Sequence, residues 1–349
     1  MIQWSEHASP WLRGEGPDSD VVISSRVRLA RNVAGFPFLL KAGAAQRREL
    51  CQICRAKLLD ASMGRTLVWM DLADMPALER QLLVERHLIS RQHGQGDKIR
   101  GLAVSDDESV AVMVNEEDHI RLQVIYSGMR LADAYRAANA MDDALEKQID
   151  FAFSDKLGYL TACPTNVGTG IRVSVMMHLP ALKLTGEIEK VQRAARDMHM
   201  AVRGFYGEGT EALGDFYQVS NQTTLGRGEQ EILTDFQDQM VPQIVRYEQE
   251  ARAALAERRP SLLDDRIQRA WAVLTHARLL GSEETLYLLS HLRLGLCMGR
   301  IEGPDLQQVN DLFALTGPSH LQRIAGRVLT GSERREFRAT FVRQRLSER

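Results

Sequence analysis

The sequence predicts an α+β lobe built on an antiparallel or mixed sheet, followed by an all-helical domain. Three observations carry this. The 349 residues suffice for two domains at roughly 150 residues each. The strand-like runs of the first two thirds do not alternate with crossover-length helices, which argues against a doubly wound parallel sheet. After about residue 224 the strand signals stop and only helix-length segments follow.

Taken in order, Ser24-Ser25-Arg26-Val27-Arg28 alternates as a strand, with Ser24, Arg26 and Arg28 on one face and Val27 and Leu29 on the other. Residues 45–62 and 76–91 carry helical spacing, whereas Leu67-Val68-Trp69-Met70 and Ser109 to Asn115 are short β-type runs. Helical spacing returns over 130–149, and Arg172 to Leu179 and Met198 to Phe205 read as further strands. A long helix runs from near Glu229 to Arg259 and stops at Pro260. Beyond it Gly281-Ser282, Gly303-Pro304, Gly317-Pro318-Ser319 and Gly331-Ser332 each pair a helix stop with a helix start. The expected organisation is an N-terminal segment over 1–20, an α+β domain over 21–258 and a helical domain over 261–349.

With 44% hydrophobic and 26% charged residues the chain is neither disordered nor fibrous. Lys and Arg number 44 against 46 Asp and Glu, so no global basic excess attracts nucleic acid or anionic lipid, and any anion site must be local. The first residues lack signal-peptide character and no apolar run approaches a membrane span, so a cytoplasmic location away from membranes is expected. Four cysteines cannot make a disulfide framework, and Cys51-x-x-Cys54, lacking a second pair, reads as two buried thiols rather than a metal site.

The chemistry is expected at five arginines that lie in strand-like runs or beside glycines, where a side chain can be aimed: Arg26, Arg28, Arg121, Arg172 and Arg203. After Asn115-Glu116-Glu117-Asp118-His119, alternation sets Ile120, Leu122 and Val124 against Glu117, His119, Arg121 and Gln123. Arg172 and Ser174 oppose Val173 and Val175, next to the loop Cys163-Pro164-Thr165-Asn166-Val167-Gly168-Thr169-Gly170. Any one arginine is more often a solvated group or half of a salt bridge. Together, planar charged forks with glycines beside them read as a polyphosphate site. No Gly-Lys dipeptide and no kinase His-Arg-Asp or Asp-Phe-Gly occurs, so an ATP site here must be built from arginines. Glu117 and Glu208, each beside an arginine element, can hold a guanidinium fork to fork, and one of them must take its proton during phosphoryl transfer.

These blocks resemble the ATP:guanidino phosphotransferases, and most closely the bacterial protein-arginine kinases, over about residues 21–255. The resemblance implies a catalytic domain with an antiparallel sheet flanked by helices. It implies nucleotide-binding segments at Ser24, Ser25, Arg26, Val27 and Arg28, at Arg172, Val173, Ser174, Val175 and Met176, and at Arg203, Gly204, Phe205, Tyr206 and Gly207, with Arg121 and His87. It gives Glu117 the role of catalytic base, Glu208 that of its partner on the substrate, and Cys163 that of the active-site thiol, with ATP and Mg2+ as cofactors and no protein metal site. Small-guanidine kinases of this family carry an additional helical domain ahead of the first block and an arginine where Tyr206 stands. The resemblance therefore implies a kinase for arginines displayed on proteins, marking them for Clp-type proteolysis in stress response.

It further implies a zinc-binding activator protein and a Clp ATPase as partners, and a helical C-terminal domain that makes a homodimer. That domain is also expected to bind phosphoarginine through Arg334 and Arg338. There the sequence departs from the family's Arg-Asp-x-x-Arg-Ala, with Arg335 at the aspartate position. Two alternatives are a kinase for free arginine and a non-catalytic phosphoarginine-binding module.

Overall fold

The structure, a computed structural model, describes residues 8–60, 65–96, 98–198, 200–204 and 213–347. A single turn at Pro10–Leu12 precedes β1 (Val22–Arg31), α1 (Ala44–Asp60), β2 (Leu67–Asp71) and α2 (Ala77–Glu85). Strands β3 (Gly101–Ser105), β4 (Val110–Val114) and β5 (Ile120–Ser127) lead to α3 (Leu131–Glu146), and a small hairpin, β6 (Phe153–Ser154) and β7 (Gly158–Tyr159), precedes β8 (Ile171–His178). Short helices α4 (Pro180–Leu184) and α5 (Ile188–Asp197), then β9 (Met200–Arg203) and β10 (Phe216–Asn221), complete the main sheet. The rest is helical: α6 (Glu229–Thr234), α7 (Val241–Arg258), α8 (Pro260–His276), α9 (Ser282–Cys297), α10 (Leu306–Leu315), α11 (Pro318–Ala325) and α12 (Gly331–Ser347).

The main sheet has eight strands in the order β2-β3-β4-β5-β1-β8-β10-β9, and every neighbouring pair is antiparallel. One face is mainly apolar. Val27 and Leu29, Leu122 and Val124, Val173 and Val175, and Tyr217 and Val219 join one core. In α3 the residues Leu131, Ala134, Ala138, Met141 and Leu145 recur at helical spacing and bury one stripe into that core. Each fully buried leucine there contributes about 1.5–3 kcal/mol.

The opposite face is divided in three. Leu102, Val104, Ala111 and Met113 lie under α2, and Ile23, Ile125, Met176 and Phe216 lie under Trp11, Leu12 and the C-terminal helices. Between these covers the face is open and polar. The C-terminal helices thus share a core with the sheet, sealed by the buried Arg293, which donates to the Ser19 and Asp20 carbonyls at 2.7 and 2.8 Å and to Asn310 at 2.9 Å.

Strands β3 and β10 carry signals that the sequence reading passed over. Gly-Leu-Ala-Val-Ser is buried on both faces and so shows no alternation, while Phe216, Gln218 and Ser220 alternate with Tyr217, Val219 and Asn221. The expected single helix from Glu229 is broken by a π-helical stretch at Asp235–Met240. Pro242 has no N–H to give, and the turn ahead of it widens.

Candidate active site

The open middle of the sheet is the floor of a cavity of about 660 Å³, within the usual range for a small-ligand site. The strand register builds its charge. Arg28 on β1 stands opposite Gln123 on β5 and Arg172 on β8, and Arg26 stands opposite Ser174. Arg121 projects from β5 on the same face and Arg203 from β9. Arg91 adds a sixth guanidinium, against two carboxylates among the described residues, Glu116 and Glu117.

Like charges directly opposite on neighbouring strands are destabilising, and burial makes this worse. Burial first, then Arg121, Arg172 and Arg203, lowers Arg26 to about 10. The same causes, with Arg26 added, push Arg28 well below the ordinary guanidinium value. Its Nε is buried without a hydrogen-bond partner among the described residues. An anion in the cavity would relieve both the repulsion and the missing hydrogen bond.

The turn from Asn115 to His119 gives each of its residues a separate task. Asn115 takes φ 64° and its amide donates to the carbonyls of Arg47 and Ile99 at 2.9 and 3.1 Å. Glu116 accepts from Arg121 at 2.8 Å, from Ser90 Oγ at 2.5 Å and from the Glu117 backbone N–H at 2.8 Å. Burial would raise its carboxyl, but Arg121 and Ser90 outweigh burial and hold it at about 2. Glu117 is the exposed member and opens onto the cavity. Burial of its carboxyl, then Asp118 and Glu116, raise it above the ordinary carboxylate value. A carboxylate so shifted is a better proton acceptor near neutral pH.

Asp118 ties this turn to the cysteine loop. One of its oxygens accepts from Asn32 Nδ2 and from the Ala162 N–H, both at 2.6 Å. Cys163 thereby faces the cavity beside Glu117, its Sγ 3.1 Å from Thr165 Oγ1. The loop glycines serve packing rather than closure. A Cβ on Gly170, at φ 66°, would come within 2.6 Å of the Ala30 carbonyl.

His87 sits at φ 59° on the cavity wall, with its carbonyl accepting from Gln123 Nε2 at 2.7 Å. Burial, Arg26 and Arg91 lower it to about 3, so the ring is neutral.

Several expected site residues lie elsewhere, for reasons of alternation. Val27, Val173 and Val175 are buried in the core on the far face and supply spacing rather than contact. Ser25 is on that side too, donating to the Gly128 carbonyl at 2.8 Å and accepting from the Arg130 N–H at 2.9 Å. Ser24 and Met176 lie beyond the cavity's end, beside Trp11; Ser174 joins them there and is 3.5 Å from Arg26 Nε. His119 does not share the Arg121 face: its Nδ1 accepts from the Val33 N–H at 3.0 Å, and its Nε2 donates to Pro37 O at 3.0 Å. Gly204 is buried at the end of β9, while Phe205, Tyr206, Gly207 and Glu208 lie outside the described residues.

Arg338, expected to bind phosphoarginine, is 2% exposed. Its three nitrogens donate to Thr316 O, Leu280 O and Ser282 Oγ at 3.0, 2.8 and 2.8 Å. Binding a ligand would require it to leave a structural lock. Arg334 donates to Leu329 O at 2.7 Å. Cys51 and Cys54 are both buried, and no cluster of three metal-ligating side chains occurs among the described residues.

The sequence reading assigned no role to Glu116, Arg91 or Gln218. Gln218, which accepts from Arg26 at 2.9 Å, was legible in the period-two pattern of β10. Glu116 had no such signal, because only the left-handed Asn115 turns it toward Arg121.

The chain is similar to known proteins over most of its length. Residues 51–251 match the family described as ATP:guanido phosphotransferase, C-terminal catalytic domain, and residues 260–349 match the protein-arginine kinase McsB C-terminal domain. The chain is 47% identical over 346 residues to a protein-arginine kinase of Moorella thermoacetica, covering 98% of each chain. It is 44% identical over 345 residues to that of Halalkalibacterium halodurans, covering 98% of this chain and 96% of the relative. Among solved structures it is similar to the duplicated taurocyamine kinase of Schistosoma mansoni, with TM-score 0.61 and 28% identity over 67% of this chain. It spans 34% of that longer protein. Lombricine kinase gives TM-score 0.57 at 25% identity, covering 72% of this chain and 74% of the other. No helix among the described residues is long and apolar enough to cross a membrane.

Proposed function

We propose that this chain, which belongs to the ATP:guanido phosphotransferase family, transfers the γ-phosphoryl group of MgATP to arginine side chains of proteins. The observation that carries the reading is the joining, in one cavity, of an arginine floor to a carboxylate with a raised proton affinity. The printed activity of its near relatives, protein-arginine kinase, supports the choice of acceptor.

In this reading Arg26, Arg28, Arg121, Arg172 and Arg203 receive the phosphate oxygens, and Glu117 holds the incoming guanidinium beside Cys163. As a guanidinium nitrogen attacks the γ-phosphorus, its proton passes to Glu117. An N–P bond forms, the bond from phosphorus to the bridging oxygen breaks, and ADP leaves with that electron pair. The arginines are held in place before the reaction, so charge developing on the transferring group meets fixed donors. Glu208 is assigned as the partner of Glu117 on the substrate guanidinium. Mg2+, bound with the nucleotide, would neutralise phosphate charge, and Glu116, committed to Arg121 and Ser90, would not be free to hold it. The zinc-binding activator, the Clp ATPase, the marking of targets for proteolysis and a homodimer made by the helical domain belong to the same proposal. So does the cytoplasmic location.

The test is incubation with labelled MgATP and an arginine-rich protein, with free arginine in a parallel reaction. Acid-labile label on protein alone is expected, since P–N bonds hydrolyse in acid. Label on free arginine instead would make this a small-guanidine kinase. Glu117→Gln should lose about 10³-fold in turnover while nucleotide binding, followed by calorimetry, stays within about threefold.

A further inference from the structure

The last residue of α2 and the two that follow it reach three different parts of the molecule. The Glu85 carboxylate accepts from the Ser319 N–H at 2.8 Å, from the His320 N–H at 3.0 Å and from His320 Nδ1 at 2.9 Å, all in the first turn of α11. Arg86, 1% exposed, is paired with Glu108 at 2.5 and 3.0 Å and lies 3.4 Å from His320 Nε2. Since Nδ1 of His320 donates to Glu85, a neutral ring presents Nε2 as the acceptor for Arg86. Trp11 Nε1 donates to the Arg86 carbonyl at 3.3 Å, and Ser9 Oγ to Glu108 at 2.8 Å.

The third residue, His87, turns into the cavity wall at φ 59°. A histidine holds such a conformation only when its surroundings over-determine it. Here they are Gln123 on its carbonyl, Trp11 against its ring with centroids 5.0 Å apart, and Arg86 anchored immediately before it. The next turn brings Ser90 to Glu116 and so to Arg121. One short segment therefore connects α11, in the helical region, with the arginine end of the cavity.

From this chain of contacts we infer that Glu85 and His320 are positioning residues for nucleotide binding: by clamping the end of α2 to α11 they set His87 and the Ser90 wall. The inference rests on the phosphotransferase reading of the cavity. It makes the helical region a structural part of the nucleotide site, because a shift of α11 relative to the sheet would be passed through Arg86 to His87.

The experiment compares the full-length chain with Glu85→Ala, Glu85→Gln and His320→Asn, measuring thermal midpoint, ATP affinity by calorimetry, and KM and kcat with a protein acceptor. Glu85→Ala should weaken ATP affinity and raise its KM about tenfold, with kcat at saturating ATP and the acceptor KM within about threefold. Glu85→Gln, which keeps an acceptor for one N–H, should fall between it and the wild type. A lowered midpoint with unchanged ATP affinity would show that the clamp serves stability alone and overturn the inference. Should Glu85→Ala not fold, Glu85→Gln and His320→Asn decide on the same constants. A wild-type chain that binds no ATP would instead sink the reading of the cavity, whereas one that binds ATP without transferring phosphate still lets calorimetry judge the clamp.

Discussion

Arg28 and Arg31 stand three residues apart on one strand and live in opposite electrostatic regions. Arg31 is 1% exposed, donates to Asp142 at 2.6 and 3.1 Å and to the Thr169 carbonyl at 2.8 Å, and its guanidinium lies 3.6 Å from the Tyr159 ring centroid. Arg28 faces Arg172 across the ladder and has Arg26, Arg121 and Arg203 as its dominant electrostatic neighbours. The first arrangement satisfies a charge and holds a loop; the second gathers like charge around Arg28, whose Nε has no hydrogen-bond partner among the described residues. Arg293 and Arg338 belong with Arg31, since their donors end on carbonyls and polar side chains at seams between helices. Composition could not separate the two groups. Their neighbours in the fold do.

The largest way to break this comparison is Arg28→Met. It should lower kcat/KM about 10³-fold yet leave the thermal midpoint unchanged or raised, because it removes a buried like charge; a clear fall in midpoint would place Arg28 with the structural set. Arg31→Met should do the reverse. It strands Asp142 in the interior and should cost about 3–5 kcal/mol in urea unfolding, its activity falling only in step with the unfolded fraction.

Glu116→Gln sharpens the comparison from the carboxylate side. Freed from its charged partner, Arg121 should lose its set position and kcat/KM should drop about 10–100-fold. The carboxyl is held at about 2 against an ordinary 4.5, so its stabilisation is complete above pH 4.5 and is lost as pH falls toward 2. The variant should show a shallower acid loss of stability over that window. The last effect, confined to acid pH, concerns His87, neutral in the fold with a value of about 3 against an ordinary 6.5. Between those values the unfolded chain binds a proton that the folded one does not, so stability falls on acidification. The slope should reach about 1.4 kcal/mol per pH unit, and His87→Gln, compared by denaturant titration at pH 4 to 7, should remove it.

Much of the site could be read along the chain because the strands alternate. Arg26 and Arg28 share a face whatever packs on them, and so do Arg172 and Ser174. The reading failed where the backbone leaves a repeating conformation. At the Asn115 turn, period-two reasoning put His119 beside Arg121, whereas the left-handed Asn115 sends His119 inward to Val33 and Pro37 and brings Glu116 onto the arginine. Arg338, expected to bind phosphoarginine, places its donors on Thr316 O, Leu280 O and Ser282 Oγ, contacts between helices that no local pattern encodes.

By itself the sequence determined the α+β lobe, the helical remainder, the arginine strands and the acidic turn beside them, because periodicity and turn chemistry are local properties of the chain. Only the tertiary structure decided which arginines are neutralised. That depends on strand register, which sets Arg28 against Arg172, and on the packing of α3 against the sheet, which sets Asp142 on Arg31. It also decided that the end of α2 is held by α11, a contact between residues more than two hundred positions apart that no local pattern encodes.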